Sequence, residues 1–289
     1  MAMSPNLRGI GFMILAAGAF VTNDSFMKIV LADTPPMQVL FMRGVAAFIW
    51  CLPLLFVLGH REDIPRAFNP WVLLRGACEL LAIMSFIIAL NHMPLGDVTA
   101  IYQTAPLLVL VGVSLVWGEK IGAARMVFVI LGVIGALFVA QPGSASASPY
   151  AAFGFLTAIG SAMRDLVGRK VPRSVPGLVV AFSTIVVVML AAGLANLAFE
   201  TWITPPPRNV AMMLAAGFFL MGGHTFVFLS FRHGTAAAVA PFYYTFTIWA
   251  VLSGLVVFGD VPNWLSVLGI ALILTSGLAC IALDRRTTQ

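Results

Sequence analysis

The sequence predicts an all-α integral membrane protein with ten transmembrane helices. Of its 289 residues, 61% are hydrophobic and only 9% are Asp, Glu, Lys or Arg, whereas about a quarter of the residues in a soluble domain are charged. A helix that spans a bilayer needs about 20 apolar residues, so ten such helices would occupy most of the chain. Backbone groups in hydrocarbon must pair internally, and apolar runs of this length pair as helices rather than as strands.

Proline, glycine and charged residues divide the chain into ten apolar segments. The predicted segments are residues 8–31, 36–58, 70–91, 95–116, 121–140, 150–169, 176–198, 208–231, 235–258 and 263–283. If the N-terminus is inside, eleven Lys and Arg residues fall in inner loops and tails, and two fall in outer loops. This asymmetry predicts that both termini are cytoplasmic.

The chain also divides into two halves of five segments each. The uncharged stretch QPGSASASP at residues 141–149 separates the halves, and residues 85–140 resemble residues 225–282, with VWGEK matching VFGDV. The predicted units are a first repeat, a linker and a second repeat, at residues 1–142, 143–149 and 150–289. Because five is odd, the second repeat crosses the membrane in the opposite sense, as in the inverted repeats of many secondary transporters.

Residues 90–142 carry a set of scaffold features that resembles a known family. These features are a small-residue entry after the third segment and then Pro106, Gly118-Glu119, Gly132, Gly135 and Pro142. They resemble the EamA-type half-repeat of the drug/metabolite transporter superfamily. The second copy departs from the first, because Asp260 replaces Glu119 and Pro241 lies earlier in its segment than Pro106. The resemblance implies a secondary transporter in a bacterial inner membrane, most similar to YddG-like amino-acid exporters.

Three charged residues lie toward the outer ends of the first two segments. Asp24 and Lys28 are four residues apart and therefore share a helix face, and Arg43 on the second segment is expected at a similar depth. We predict an Asp24–Arg43 ion pair with Lys28 nearer the surface. Such a pair would either fix the two helices together, or act as an outer gate or a site for a substrate carboxylate.

Glu79 and His224 are titratable residues expected near the membrane centre. A carboxylate at that depth must be paired, neutral or hydrated by a cavity. Glu79 would either pair with Arg75 or serve as a proton-coupling or amine-recognising group. His224, on the counterpart of the third segment, would either bond a neighbouring carbonyl or titrate together with Glu79. Arg164 and Asp165, at the inner end of the sixth segment, are interpreted as interfacial anchors.

The fourth and ninth segments occupy equivalent places in the halves and contain three of the four tyrosines. The candidate substrate-binding residues there are Tyr102, Gln103, Thr104, Tyr243, Tyr244, Thr247 and Trp249. Their rings and polar groups could hold an apolar ligand in one orientation, and packing between helices is the alternative. Pro106 and Pro241 interrupt helix hydrogen bonding, so we predict them as hinges.

The residue pattern argues against an enzyme, because metal-ligand spacings, a phosphate-binding loop and a nucleophile elbow are all missing from the sequence. We therefore predict no cofactor, no metal and no nucleic-acid partner. The favoured function is alternating-access export of amino acids, including aromatic and neutral ones. The alternatives are import of S-adenosylmethionine or another metabolite and, from another class, a membrane-embedded enzyme or scaffold. The residues leave the direction of transport and the use of protons open.

Overall fold

The computed structural model describes residues 5–118, 122–141 and 148–287, and within these ranges every regular element is helical. The α-helices are α1 (Pro5–Val30), α2 (Pro36–Val57), α3 (Pro70–His92), α4 (Leu95–Tyr102), α5 (Ala105–Trp117), α6 (Ala123–Ala140), α7 (Ala151–Gly168), α8 (Gly177–Phe199), α9 (Pro207–His233), α10 (Ala236–Val239), α11 (Thr245–Ser253) and α12 (Trp264–Thr287). A 3-10 helix at Arg61–Phe68 precedes α3, another at Ala240–Tyr244 joins α10 to α11, and a π-helix at Gly254–Phe258 follows α11. Glu119 and most of the predicted linker lie outside the described residues.

Helices lie at all ten of the predicted segments. Among the residues that the structure describes, seven helical stretches are long and apolar enough to cross a membrane: Pro5–Val30, Pro36–Val57, Pro70–His92, Leu95–Val116, Gly177–Phe199, Pro207–His233 and Pro241–Phe258. Two shorter apolar stretches are Met126–Ala140 in α6 and Trp264–Ala279 in α12. The chain is therefore a helical multi-pass membrane protein.

Proline sets the start of three of the long helices. Pro36, Pro70 and Pro207 each occupy the first turn of a helix, where the absent N–H is not needed and the fixed φ suits the helix. The Asn69 side chain also accepts a hydrogen bond from the Trp71 backbone N–H at 3.0 Å and so caps α3. These local signals explain why the chain turns back after short loops.

Most contacts between helices of the two halves occur twice, once in each direction. A helix of the first half packs on a helix of the second half, and their counterparts pack on each other in the same way. α1 packs on α9 as α7 packs on α3, and α2 packs on α9 as α8 packs on α3. Likewise α1 packs on α11 as α7 packs on α5, while α2–α8 and α6–α12 each join equivalent helices. The contact between α4 and α11 joins the fourth segment to the ninth. The contacts between helices therefore follow an approximate two-fold relation between the halves. A space that is enclosed by both halves lies where they meet.

Small residues allow close approach at two of these crossings. A Cβ on Gly135 of α6 would lie 2.7 Å from the Gly269 carbonyl oxygen of α12. A Cβ on Gly217 of α9 would lie 2.7 Å from the Cβ of Ala46 on α2. Only glycine fits such contacts, which bring two helix backbones together. Gly222, also on α9, has no neighbouring atom within 4 Å of a Cβ built there.

Candidate functional site

A cavity of about 350 Å³ lies between helices of both halves. The charged and titratable side chains on its wall are Asp24, Arg43, Arg75, Glu79, Arg164, His224, Tyr102 and Tyr243. Phe20, Phe86 and Phe246 add apolar ring surface. The cavity thus combines ion-pairing groups with an aromatic wall, as ligand sites commonly do.

Glu79 is held by Arg164 and not by Arg75. Arg164 Nη1 donates to Glu79 Oε2 at 2.8 Å, and its Nε donates to Asp165 Oδ1 at 2.8 Å. Arg75 Nη1 donates instead to Thr184 Oγ1 on α8 at 3.3 Å. The structure therefore corrects both the expected Glu79–Arg75 pair and the interpretation of Arg164 as an interfacial anchor. The physical reason is that α3 and α7 pack side by side, which brings Arg164 opposite Glu79.

Arg43 and Asp24 face the cavity without forming the predicted salt bridge. Arg43 is only 9% exposed. Its Nη1 donates to Met27 Sδ at 3.5 Å, while its Nε has no hydrogen-bond partner. Asp24 Oδ1 accepts a hydrogen bond from Asn23 Nδ2 at 2.8 Å, and Asn23 Oδ1 is itself unpaired. A buried guanidinium with spare donors therefore lies on the same wall as a carboxylate that has spare acceptor capacity.

Lys28 pairs across the halves and not with Asp24. Its Nζ donates to the Met93 carbonyl oxygen at 2.7 Å and to Asp260 Oδ2 at 3.3 Å. It also lies 5.0 Å from the centre of the Phe258 ring. Lys28 lies one helical turn after Asp24 on α1. Its side chain therefore reaches the connection between α3 and α4 and the end of the π-helix, and not the cavity. Lys28 therefore belongs to a contact at the predicted outer end of the bundle.

The interruptions of the fourth and ninth segments meet at the cavity wall. The hydroxyl oxygens of Tyr102 and Tyr243 are 3.3 Å apart, and Gln103 Nε2 donates to the Tyr243 carbonyl oxygen at 3.3 Å. Both tyrosine rings also pack near Phe246, with ring centres 6.3 and 6.5 Å away. Because Tyr102 ends α4 and Tyr243 lies in a 3-10 helix, each ring comes from a point where its α-helix is interrupted.

The two predicted hinge prolines lie at these interruptions. Pro106 is in the first turn of α5, directly after the non-helical residues Gln103 and Thr104. Pro241 is in the first turn of the 3-10 helix Ala240–Tyr244. A proline at either place removes a backbone donor that a continuous α-helix would use. The structure therefore has a helix break at both prolines, and bending there stays a prediction.

Five of the predicted binding residues lie away from the cavity wall. They are Gln103, Thr104, Tyr244, Thr247 and Trp249. Gln103 and Thr104 are buried at the end of α4, where Thr104 Oγ1 donates to the Ile101 carbonyl oxygen at 2.7 Å. Tyr244 packs against Gly277 of α12. None of these five side chains lines the cavity.

Trp249 lies on the outside of the bundle, with 40% of its surface exposed. The buried face of α11 consists of Phe246, Thr247 and Ala250. Since successive residues turn by about 100° in an α-helix, Trp249 falls outside this arc. Its ring therefore lies outside the cavity wall, and its role in binding stays a prediction. Four other predicted binding residues line the cavity: Tyr102, Tyr243, Glu79 and His224.

The sequence did not single out several residues of the cavity wall. They include Asn23, Phe20, Phe86, Phe246, Thr157 and Ser161. Arg75 and Arg164 also line the wall, although the sequence suggested other roles for them. Phenylalanine occurs 22 times in the chain, so its presence in an apolar segment carries no signal. Arg164 and Arg75 did carry one, because an arginine within an apolar segment is costly unless it faces a partner or water.

The cavity extends from the middle of the bundle toward its predicted cytoplasmic end. Along α8 it is lined from Val188 in the middle of the helix to Gly177, the first residue of the helix. At the opposite end, the Lys28–Asp260 salt bridge joins α1 to the residues before α12. The lining of the pocket thus extends toward the predicted cytoplasmic end of the bundle. The Lys28–Asp260 salt bridge lies at the opposite end.

Comparison with known proteins gives matches over nearly the whole chain. The profile of the EamA-like transporter family matches residues 7–141 and again residues 148–282. The pseudopaline exporter CntI of Pseudomonas aeruginosa is 27% identical over 96% of each chain. The S-adenosylmethionine uptake transporter of Rickettsia felis is 24% identical over 99% of this chain and 96% of its own.

A third transporter and a solved structure also match nearly the whole chain. The riboflavin transporter of Rhizobium johnstonii is 28% identical over 96% of this chain and 93% of its own. A solved crystal structure with 17% identity superposes with a TM-score of 0.66 and covers 96% of this chain and 97% of that chain. At that identity the structural match concerns the fold alone.

Proposed function

The chain belongs to the EamA-like transporter family, and from this premise we propose that it is a secondary transporter that exports amino acids and similar zwitterionic metabolites. The family and the relatives are transporters of small molecules and not enzymes. The observation that carries the finer proposal is the cavity, where Arg43 and Asp24 lie beside aromatic rings. We propose a bacterial inner membrane as its location.

The proposed architecture has ten transmembrane helices in two inverted repeats, with both termini cytoplasmic. The two separate matches of the family profile support a division near residues 142–149. The interchangeable helix pairs and the excess of basic residues in the inner loops support the inverted arrangement. In this architecture the cavity lies where the repeats meet, and it opens first toward the cytoplasm.

The proposed binding mode uses complementary charge at the outer part of the cavity. The substrate carboxylate would bind Arg43, whose planar fork of donors suits a carboxylate. The substrate ammonium would bind Asp24. The side chain of the substrate would then lie against Phe20, Phe86 and Phe246, with Tyr102, Tyr243, Glu79 and His224 completing the wall.

The proposed cycle is alternating access. The present conformation binds substrate from the cytoplasmic side while the Lys28–Asp260 contact holds the outer side closed. Release to the outside requires that contact to break and the halves to rock about the breaks near Pro106 and Pro241. Glu79 and Asp24 are the carboxylates on the cavity wall, so proton coupling, if used, would act through them.

Import of S-adenosylmethionine is the second candidate. The uptake transporter of that compound matches 99% of this chain, and an aromatic wall can bind a sulfonium cation. The compound carries a net positive charge, however, and three arginines on the wall would repel it. Charge therefore favours the amino-acid proposal.

Efflux from proteoliposomes tests the proposed function. The purified chain would be reconstituted and loaded in parallel with labelled Phe, Trp, Thr, Met, S-adenosylmethionine and a sugar, with and without a pH gradient. We expect saturable release of amino acids that aromatic amino acids inhibit. Release of S-adenosylmethionine alone would transfer the assignment to the second candidate, and no release of any compound would contradict both.

Two aromatic variants provide a matched test of the cavity. Tyr102→Ala removes a ring from the wall, whereas Trp249→Ala removes a ring from the outside of the bundle. We expect the KM for phenylalanine to rise about tenfold in the first variant, since buried ring contacts contribute on the order of 1 kcal/mol or more. The second variant should keep the wild-type KM. Equal effects would contradict the proposed position of the site.

A further inference from the structure

We infer that the cavity has a second carboxylate site at Arg75, so that its preferred substrates are amino acids or amino-acid derivatives with two carboxylates and a net charge of −1. This inference rests on the proposed function and assigns a substrate class to the same cavity. It adds a specificity-determining residue, since Arg43 alone would suffice for a neutral amino acid.

The inference starts from the charges on the cavity wall. Three guanidinium groups, those of Arg43, Arg75 and Arg164, lie on the wall with the carboxylates of Asp24 and Glu79. Arg164 binds two carboxylates, those of Glu79 and of the adjacent Asp165. The charges are therefore equal in number when His224 is neutral, but they are paired unevenly. A guanidinium group in a membrane-embedded cavity is costly unless a carboxylate, a ligand or water compensates it, and a neutral zwitterion bound at Arg43 and Asp24 would leave Arg75 without a carboxylate.

Arg75 is a guanidinium group on the wall that lacks a salt bridge among the described residues. Arg164 is already bound to Glu79 and Asp165, each at 2.8 Å. Arg75 has a neutral partner instead, the hydroxyl of Thr184 at 3.3 Å. No salt bridge within the described residues joins Arg75 to a carboxylate. Most of its donors are thus left for an anion in the cavity.

Arg43 and Asn23 provide independent evidence that the cavity is built for a ligand. Arg43 is more than nine-tenths buried, yet its Nε has no partner and its Nη1 contacts only the weak acceptor Met27 Sδ. Asn23 is 1% exposed and its Oδ1 is also unpaired. Unsatisfied buried polar groups are costly in a resting protein. Both residues lie on the cavity wall, so a polar ligand can satisfy them.

A substrate with one ammonium and two carboxylates balances these groups. Its α-carboxylate binds Arg43, its ammonium binds Asp24, and its second carboxylate binds Arg75 on the cytoplasmic side of the cavity. Glu79 and Arg164 then remain paired with each other. Every charge on the wall has an opposite partner in this arrangement, and the aromatic residues contact the apolar body between the two carboxylates.

Competition between two nearly isosteric compounds tests the inference. Release of labelled phenylalanine from proteoliposomes is the reporter, and the competitors are 4-carboxyphenylalanine and its amide, 4-carbamoylphenylalanine. In the wild type we expect the acid to inhibit at a concentration at least about tenfold lower than the amide, as is typical of a charged hydrogen bond. Glutamate against glutamine, and 2-aminoadipate, repeat the comparison with shorter spacings.

Variants assign the preference to Arg75. The ratio of the two inhibitory concentrations should fall to about one in Arg75→Gln and recover partly in Arg75→Lys, which restores the charge without the fork. Arg173→Gln changes an exposed arginine on the same side and should keep the wild-type ratio. Because each ratio is taken within one variant, a change in overall activity does not alter it.

The outcomes separate failure of the inference from failure of the proposed function. Phenylalanine release with an acid-to-amide ratio near one in the wild type would overturn the inference alone. A strong preference that persists in Arg75→Gln, or equal inhibition by inorganic phosphate, would overturn the assignment to a carboxylate site at Arg75. No release of phenylalanine or glutamate by the wild type would overturn the proposed function and the inference with it. If Arg75→Gln does not fold, the wild-type ratio still decides whether the cavity prefers a second carboxylate, and Arg75→Lys still tests the assignment to Arg75.

Discussion

Glu79 and Arg164 form the ion pair that sets the charge of the cavity wall. The pair joins α3 to α7 at 2.8 Å, and the two side chains keep 25% and 17% of their surface exposed. Because both are largely removed from water, Glu79 alone would be an uncompensated charge next to hydrocarbon. Arg164 alone would keep its salt bridge to Asp165. This burial favours a structural role for the ion pair in addition to its place on the cavity wall.

A double-mutant cycle tests that role. Arg164→Gln should reduce the free energy of unfolding by about 3 kcal/mol, and Glu79→Gln should reduce it by less, because Arg164 keeps its salt bridge to Asp165. The double variant should lose less than the sum, with a coupling of about 1–3 kcal/mol. Denaturant unfolding in detergent micelles measures these values. The pair of Arg66 and Asp63, in which the Arg66 side chain is 51% exposed, serves as the control, with an expected coupling below about 1 kcal/mol. Additive losses at Glu79 and Arg164 would contradict the ion pair.

The sequence predicted part of the cavity and not the rest. Asp24, Arg43, Glu79 and His224 stood out because charge or a titratable ring is rare within an apolar segment. The partner of Glu79 did not stand out, since it depends on which helices are neighbours and how each is rotated. In segments that are apolar all round, no polar stripe fixes that rotation. The position of Trp249 outside the cavity wall was not predictable for the same reason.

At the scale of the elements, the equivalent helix breaks are the features most relevant to motion. One break separates α4 from α5 at Gln103 and Thr104, and the other is the 3-10 helix Ala240–Tyr244. Gln103 links them by its hydrogen bond to the Tyr243 carbonyl oxygen. Because of this hydrogen bond, bending at one break would change the geometry at the other.

Restoring a backbone donor at the first break should slow transport. Pro106→Ala allows the helix to continue through Gln103 and Thr104, so we expect several-fold slower turnover of phenylalanine in proteoliposomes. Pro53→Ala, inside α2 and away from both breaks, should keep the wild-type rate. Unchanged turnover in both variants would contradict the hinge assignment.

Glycine packing offers a second test at this scale. Gly217→Ala would place a methyl group 2.7 Å from Ala46, so we expect a loss of about 1–3 kcal/mol in the free energy of unfolding. Gly222→Ala, on the same helix but facing open space, should be neutral or stabilising by up to about 1 kcal/mol. Denaturant unfolding in micelles compares the two. Equal stability of both variants would contradict the close contact between α9 and α2.

The positions of the helices were predictable because length and apolarity are local properties of the chain. The helix breaks were signalled by Pro106 and Pro241. The π-helix at Gly254–Phe258 had no comparable signal, since its hydrogen bonding depends on how α11 meets the residues that follow it. The Gly254 carbonyl oxygen accepts from the Asp260 N–H at 2.9 Å, a contact that proximity in sequence alone does not predict.

At the scale of the whole molecule, the contacts differ between the two ends of the cavity. The lining reaches Gly177 at the predicted cytoplasmic end. At the other end, Lys28 binds both Asp260 and the Met93 carbonyl oxygen. Under the proposed topology, the structure corresponds to an inward-facing state in which the outer contacts stabilise closure.

Weakening the outer contact should shift the population toward an outward-facing state. In a cysteine-free background with a single cysteine at position 157, a cavity residue, Asp260→Asn should increase several-fold the rate of labelling by an impermeant maleimide added outside. Glu62→Gln, at an exposed residue, should leave that rate unchanged. Equal labelling rates in both variants would contradict the role of Asp260 in closing the outer side.

The most direct measurement is saturable release of labelled phenylalanine from proteoliposomes containing the wild type, Arg43→Gln or Arg173→Gln. If the substrate carboxylate binds Arg43, the wild type and Arg173→Gln will release phenylalanine with the same KM, and kcat/KM will fall more than about tenfold in a folded Arg43→Gln variant. Wild-type release by Arg43→Gln, or no saturable release by the wild type, would contradict transport through this cavity.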